Sequence, residues 1–157
     1  MQSTALSRQI GKKLSSEGKT LALAESCTGG FISHLITSIP GSSAYFIGSV
    51  ISYDNKIKTE VLGIRNSTLK KHGAVSAECV SQMAKNIRKK FGTDYALATS
   101  GIAGPTGAVK GKPVGTVFIA LALRNKLLVG RYQFKGNRSQ VIGQSARKAL
   151  EILWANL

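Results

Sequence analysis

The stretch Leu21-Ala22-Leu23-Ala24-Glu25-Ser26-Cys27-Thr28-Gly29-Gly30-Phe31-Ile32 begins as an apolar run, breaks into small polar residues and then resumes its apolar residues at helical spacing. This pattern predicts a strand, a tight turn and a helix. The turn would place Ser26, Cys27 and Thr28 at the N-terminus of the helix. There, unpaired backbone N–H groups and the helix dipole favour an anion or a developing oxyanion.

Strands and helices are predicted to alternate on either side of this stretch. Before it, the sequence indicates an amphipathic helix over residues 4–17 and a first strand over 20–24. After it, strands are predicted over 45–53, 95–99, 115–123 and 126–134, and helices between 30 and 40, over 56–62, from 76 to about 90, and from 137 to the C-terminus. This order is typical of an α/β protein, here a three-layer α/β/α sandwich with a mixed, mostly parallel sheet.

Three of the predicted strands end in turns that are candidates for a binding site. The turns follow Ala24, Tyr53 and Thr99. In α/β sheets, ligands bind at the carboxyl ends of the strands, so we expect these turns to meet in one crevice.

The size and apolar content predict one globular domain spanning residues 1–157, with 43% apolar residues. The apolar runs, such as Val114 to Leu123, are too short to span a bilayer, and residues 1–11 lack the apolar core of a signal peptide. We therefore expect a cytoplasmic protein that does not contact membranes. Cys27 and Cys79 do not make a metal-ligand set and are expected to stay reduced, so we predict no metal and no other cofactor.

The charge is strongly basic, with 22 Lys and Arg against 7 Asp and Glu, a formal net charge of +15. A field of this sign attracts phosphates and nucleic acids. The basic residues occur in short clusters, such as Lys70-Lys71 and Arg88-Lys89-Lys90, and no aromatic residues that could stack bases alternate with them. The pattern favours a solvated basic surface, with weak nonspecific polyanion binding as the alternative.

Two interpretations of Ser26 are possible: it caps the following helix, or it is a nucleophile. A serine nucleophile needs a base, and neither His34 nor His72 belongs to a polar cluster in the sequence. Lys56 and Lys58 follow the second predicted strand and offer another base, because a desolvated lysine beside other cations has a lowered pKa. Each of these lysines can equally be a surface charge.

Three further features could carry chemistry. Cys27 competes with Ser26, because a thiol at a helix N-terminus has a lowered pKa and is the better nucleophile. The glycine-rich loop Gly101 to Gly107 could hold a phosphate, although it lacks the known phosphate-loop patterns. Arg138 offers a fork for a phosphate at the start of the last helix.

Four segments together resemble the CinA C-terminal domain family. They are Ala24-Glu25-Ser26-Cys27-Thr28-Gly29-Gly30, Gly73-Ala74-Val75-Ser76, Ser100-Gly101-Ile102-Ala103-Gly104-Pro105 and Lys112-Pro113-Val114-Gly115-Thr116-Val117. The resemblance covers nearly the whole chain in order. It implies a nicotinamide mononucleotide deamidase, an amidohydrolase that releases ammonia and nicotinic acid mononucleotide by a serine–lysine mechanism without a metal.

The resemblance also implies the roles of individual residues. Ser26 matches the nucleophile, Lys58 rather than Lys56 matches its base, and Tyr53 lies near the site. The helix-start N–H groups would hold the oxyanion, and the glycine loop with Arg138 would hold the substrate phosphate. The implied substrate-binding residues are Thr28, Gly29, Gly30, Ser100, Gly101, Gly104 and Arg138.

This chain departs from the family pattern in the loop after Gly104-Pro105. Where the family carries acidic residues, this chain has Thr106-Gly107-Ala108-Val109-Lys110-Gly111, so the charge of the loop is reversed. Two alternatives therefore stay open: a deamidase of another nucleotide amide, and a non-catalytic basic binding or regulatory module linked to DNA uptake or repair. We also expect a homodimer or higher homo-oligomer.

Overall fold

A computed structural model describes residues 3–157 of the chain. These residues form six α-helices and five strands, with a short 3-10 helix at Ser42–Ala44. The α-helices and strands are, in chain order, α1 (Ser3–Ser16), β1 (Leu21–Glu25), α2 (Phe31–Thr37), β2 (Phe46–Ile51), α3 (Asn55–Glu60), α4 (Asn66–His72), α5 (Ala77–Phe91), β3 (Tyr95–Gly101), β4 (Thr116–Ala122), β5 (Leu127–Gln133) and α6 (Arg138–Trp154).

The five strands form one mixed sheet in the order β2-β1-β3-β4-β5. β1 pairs in parallel with both β2 and β3, whereas β4 is antiparallel to β3 and to β5. Four of the five strands therefore point the same way, and β1 lies in the interior of the sheet with all five of its residues buried. The predicted mixed, mostly parallel sheet is confirmed.

Helices cover both faces of the sheet, as the three-layer prediction requires. Leu21 and Leu23 of β1 face the cluster that α1, α2 and α6 form on one side. Ala22 and Ala24 face α5 on the other side, together with alanines of β3 and β4. Because these alanines are short, α5 packs closely across the middle of the sheet.

Two helix starts follow from their cap residues. The side chain of Ser76 accepts a hydrogen bond from the N–H of Cys79 and so begins α5. Asn137 and Gln140 form the predicted capping box at the start of α6, each side chain bonding the backbone of the other. This box fixes the position of Arg138, the first residue of α6.

The structure differs from the prediction at several element ends and in one helix. β3 runs to Gly101 instead of residue 99, and α3 ends at Glu60 instead of residue 62. The second strand ends at Ile51 instead of residue 53, because Asp54 caps α3 and the chain turns before it. α2 ends at Thr37, ahead of the predicted stop near Pro40. The sequence analysis also missed α4, a short helix that packs against α5.

None of the helices within residues 3–157 is long and apolar enough to cross a membrane.

Candidate active site

The predicted turns line one cavity of about 270 Å³ at the carboxyl edge of the sheet. Ser26 and Cys27 follow β1, Tyr53 follows β2, and the segment from Ser100 to Gly107 extends from the end of β3. Lys58 of α3, the loop Ala74-Val75 and Arg138 of α6 complete the lining. The cavity is slightly smaller than the roughly 300–1,000 Å³ of typical ligand sites, so it suits the reacting end of a substrate.

Ser26 and Lys58 form the central contact of this cavity. The Nζ of Lys58 lies 3.0 Å from the Oγ of Ser26 and also donates to the carbonyl oxygens of Ser52 and Tyr53. Only 1% of Lys58 is exposed, whereas Lys56 is exposed on the outside of α3. The structure thus brings Ser26 together with the lysine that the resemblance implies.

The surroundings of Lys58 favour its neutral form. Burial lowers the pKa of its amine from the ordinary value of 10.5, and the nearby Cys79, Cys27 and Asp54 oppose this shift more weakly. A lowered pKa makes the neutral amine, which is the form that can accept a proton, easier to reach.

Cys27 does not have the activated thiol that its position in sequence suggested. Burial raises its pKa to about 12, because only 7% of the residue is exposed. Burial likewise raises the pKa of Cys79, to about 11. The expectation of a lowered Cys27 pKa is therefore wrong, since desolvation outweighs the effect of the helix end.

Glu25 occupies the helix end that was expected to hold an anion. Its buried carboxylate accepts hydrogen bonds from the N–H groups of Gly30, Ile32 and Ser33, at 2.8–3.1 Å. The hydroxyls of Thr28 and Ser33 donate to it as well, each at 2.6 Å. The N-terminus of α2 is thus closed by the protein's own carboxylate and is not a site for a ligand.

This arrangement removes most of the predicted oxyanion donors. The N–H of Gly30 is bound to Glu25, and the N–H of Gly29 donates to the carbonyl of Ser26 at 3.0 Å. Among the residues the structure describes, the N–H of Thr28 has no acceptor. Thr28, Gly29 and Gly30 do not line the cavity, and the hydroxyl of Thr28 lies 2.8 Å from that of Thr99.

The sequence analysis missed Glu25. The available signal was a carboxylate that ends a buried strand one residue before the polar turn. Such a residue is paired or hydrogen-bonded when buried, and the nearest donors are the free N–H groups of the following helix.

Arg138 and Tyr53 meet at the mouth of the cavity. Arg138 donates to the hydroxyl of Tyr53 at 2.6 Å and to the carbonyl of Gly104 at 2.8 Å. Tyr53 is 58% exposed, and none of the carboxylates in residues 3–157 pairs with Arg138. The guanidinium is therefore held by neutral oxygens and is accessible to an anion.

The segment after β3 forms the wall opposite Ser26. The hydroxyl of buried Ser100 donates to the carbonyl of Ala74 at 2.7 Å and links two loops of the cavity. A side chain at Gly101 would lie 2.8 Å from the carbonyl oxygen of Thr116, so the close approach of β4 requires glycine. Gly104 has φ +82° and lets the chain turn toward Arg138.

The two histidines lie outside the cavity. His34 is exposed on α2, and the Nδ1 of His72 lies 3.5 Å from Glu78. Within residues 3–157, three or more His, Cys, Asp or Glu side chains do not come together in a way that could hold a metal ion.

The fold and the cavity define an α/β/α domain with a buried serine–lysine pair at the carboxyl edge of its sheet. More narrowly, the chain belongs to the CinA family, because the family model of the CinA C-terminal domain matches residues 3–157. The resemblance seen in the sequence motifs is confirmed.

Curated relatives are longer than this chain. CinA-like proteins of Thermotoga maritima and Thermotoga neapolitana are 49% and 45% identical to it over 144 and 157 residues. The aligned parts are 92% and 100% of this chain but 35% and 38% of those proteins. The chain therefore spans about a third of the length of these relatives.

Solved structures of similar length share the whole fold. A competence-damaged protein (CinA) superfamily protein from Klebsiella pneumoniae superposes with a TM-score of 0.95 at 33% identity, covering 99% of this chain and 98% of that one. The competence/damage inducible protein CihA from Agrobacterium tumefaciens superposes with a TM-score of 0.95 at 36% identity, covering 98% and 94%.

Proposed function

We propose that this chain is a cytoplasmic amidohydrolase that converts nicotinamide mononucleotide to nicotinic acid mononucleotide and ammonia. The observation that carries the proposal is the 3.0 Å contact between the Ser26 hydroxyl and the buried Lys58 amine inside a cavity. A buried amine against a serine hydroxyl is an arrangement that nucleophilic catalysis needs and that helix capping does not.

The acceptors around Lys58 suit a proton carrier. A neutral amine has two protons and one lone pair. The carbonyls of Ser52 and Tyr53 can accept hydrogen bonds from the two N–H groups, which leaves the lone pair to accept a hydrogen bond from the Ser26 hydroxyl. After proton transfer, the ammonium has three protons for the same three oxygens, so the proton can move without rearrangement of the site.

The proposed reaction has two stages. Ser26 Oγ attacks the carboxamide carbon while Lys58 takes its proton; the C–N bond then breaks, and Lys58 gives the proton to the departing amine, which leaves as ammonia. Water next attacks the acyl ester with Lys58 as the base, the C–Oγ bond breaks, and Ser26 recovers its proton. The product is the carboxylate of nicotinic acid mononucleotide.

Two other groups have assigned roles in the proposal. The resemblance assigns the oxyanion to the N–H groups from Thr28 to Gly30. Of these, the N–H of Thr28 has no acceptor in the described chain, and although Thr28 is not in the lining, it directly follows Cys27, which is. Arg138 binds the substrate phosphate, with Tyr53 and the Ser100–Gly107 segment shaping the mouth. The names of the relatives refer to competence and damage and specify no reaction, so the substrate rests on the motif resemblance and on this cavity.

The test is ammonia release from nicotinamide mononucleotide by the purified chain. Ser26→Ala and Lys58→Ala are each expected to lower kcat/KM by at least about 10³-fold, because each removes a member of the reacting pair. The matched control is Lys56→Ala, which removes an exposed lysine from the same short helix and should leave the rate unchanged.

Two results would contradict parts of the proposal. If Cys27→Ala abolished ammonia release while Ser26→Ala retained it, the serine assignment would be wrong. If nicotinamide mononucleotide gave no ammonia but another nucleotide amide did, with the same loss in Ser26→Ala, the reaction class would stand and the substrate would change.

A further inference from the structure

A second concave surface lies away from the cavity, along the outer side of α5. Two adjoining clefts of about 470 Å³ and about 350 Å³ share Lys85 and Leu127. The first lies between α4 and α5, and the second runs from α5 to the β4–β5 turn at Arg124 and Asn125. We name these two adjoining clefts together the basic groove.

Six cations line the basic groove: Arg65, Lys71, Lys85, Arg88, Arg124 and Lys126. None of them forms an ion pair with a carboxylate of residues 3–157. Arg88 alone is partly engaged, through the carbonyl of Asp94. Glu78 is the only acidic residue of the lining, and it faces His72.

The ion pairs that involve a lysine or an arginine of residues 3–157 lie outside the groove. Glu17 pairs with Lys13 of α1, and Glu151 pairs with two cations of α6, on the other side of the sheet. Asp94 pairs with Lys19. Part of the +15 net charge is therefore concentrated in the basic groove, where six cations stand against one carboxylate.

We propose that the basic groove binds the phosphate backbone of double-stranded nucleic acid without regard to sequence. Its remaining lining is mostly small and polar. Ser67, Gln82 and Asn125 suit phosphate oxygens, whereas the hydroxyl of Ser81 donates to the carbonyl of Ala77. Its lining contains no Phe, Tyr or Trp on which unpaired bases could stack, and His72 is its one aromatic ring, which disfavours single strands. Leucine and alanine are its only apolar residues, none of them exposed, so it offers little to insert into a lipid surface.

The basic groove is separate from the serine–lysine cavity. The two share no lining residue. At His72 the groove approaches the loop Ala74-Val75, which lines the cavity. Binding in the groove is therefore testable independently of ammonia release.

The test is fluorescence anisotropy of a labelled 20-base-pair DNA duplex of random sequence with the full chain. We expect binding at about 50 mM NaCl that weakens linearly on a log–log plot, with a slope of about 0.9 for each phosphate contacted. The double variant Lys85→Gln/Arg124→Gln should raise Kd at least about tenfold and reduce the slope by about 2.

The matched control is Arg8→Gln/Lys12→Gln, which removes one arginine and one lysine from α1 on the opposite face. It should bind the duplex nearly as well as the unmodified chain. An equal loss of affinity in the two double variants would overturn the proposal, because binding would then follow net charge alone. The unpaired labelled strand should bind more weakly than the duplex.

Two further measurements complete the test. Vesicles with 30% anionic lipid should not bind the chain through the groove. The proposal would be wrong if the chain bound these vesicles but not the duplex, and if Lys85→Gln/Arg124→Gln abolished the vesicle binding. Ammonia release by this variant should equal that of the unmodified chain, so a failure of the groove proposal is distinguishable from a failure of the proposed reaction.

Discussion

At the scale of single residues, the proposed reaction depends on the pKa of Lys58. Burial lowers this pKa below 10.5, although three oxygen atoms around the amine can each accept a hydrogen bond from it. The unfolded chain therefore binds more protons than the folded chain between the two pKa values. In that window the free energy of unfolding rises with pH, because the cost of a buried ammonium disappears.

The pH dependence of kcat/KM is the corresponding prediction. If neutral Lys58 is the base, kcat/KM for ammonia release should rise with pH to a plateau, and the midpoint of the rise should lie below pH 10.5. Cys27→Ala should leave the midpoint nearly the same, because Cys27 raises the Lys58 pKa only weakly and its own thiol, with a pKa of about 12, stays protonated over this range. A kcat/KM that falls between about pH 7 and pH 9 would contradict the role of Lys58.

The choice between Lys56 and Lys58 shows where residue types stop being informative. Both lysines follow the second strand, and their spacing alone favours neither. α3 runs from Asn55 to Glu60, so both lysines lie on it. Residues that are two apart in sequence, such as Lys56 and Lys58, point in directions about 200° apart around a helix axis. One lysine must then point inward and the other outward, but the sequence does not give the rotation of so short a helix.

At the scale of elements, the joint between β1 and α2 is held by Glu25. A carboxylate that ends a buried strand accepts five hydrogen bonds from the start of the next helix. Ser26 lies in the turn between Glu25 and the N–H groups that bind the Glu25 carboxylate. Because these bonds hold both ends of the turn, they fix its conformation. We infer that Glu25 positions the nucleophile by anchoring α2.

Glu25→Gln tests this joint. The amide can accept on only one of its two ends and presents N–H groups to donors, so several buried groups lose their partners. We expect the free energy of unfolding to fall by about 2–4 kcal/mol, measured by urea denaturation. Glu60→Gln is the control, because Glu60 is exposed at the end of α3 and should change the value by less than about 0.5 kcal/mol. An equal effect in both variants would show that Glu25 does not anchor α2.

Strong local signals made most elements predictable. The capping pair Asn137 and Gln140 predicts the start of α6, and Ser76 predicts the start of α5. The Arg124-Asn125 pair predicts the β4–β5 turn. α4 carries few apolar residues and is stabilised by packing on α5, so its sequence lacks a clear helical period. The capping of α2 by Glu25 was not predicted either, because it joins a strand end to a helix start through side-chain geometry.

At the scale of the whole molecule, the layers and the cavity follow from strand direction. Because β1, β2 and β3 are parallel, their carboxyl ends lie at one edge, and the turns after them bring Ser26, Tyr53 and Ser100 together. The family motifs identified these residues before the fold was known. The homo-oligomer stays a prediction; β2 and β5 are the two edges at which a second copy could pair.

The last prediction concerns the net charge of the whole chain. With 22 basic and 7 acidic residues, like charges repel one another in the compact state. Salt screens this repulsion, so raising NaCl from about 20 to 300 mM should increase the free energy of unfolding by about 1 kcal/mol and Tm by about 2–4 °C. Lys85→Gln/Arg124→Gln removes two unpaired cations of one cluster, so it should raise Tm at low salt and make its salt dependence shallower. Sucrose at equal osmolality controls for effects of the solute that are unrelated to charge. If Tm instead falls as NaCl rises, attraction within ion pairs, rather than repulsion between like charges, dominates the electrostatics of the fold.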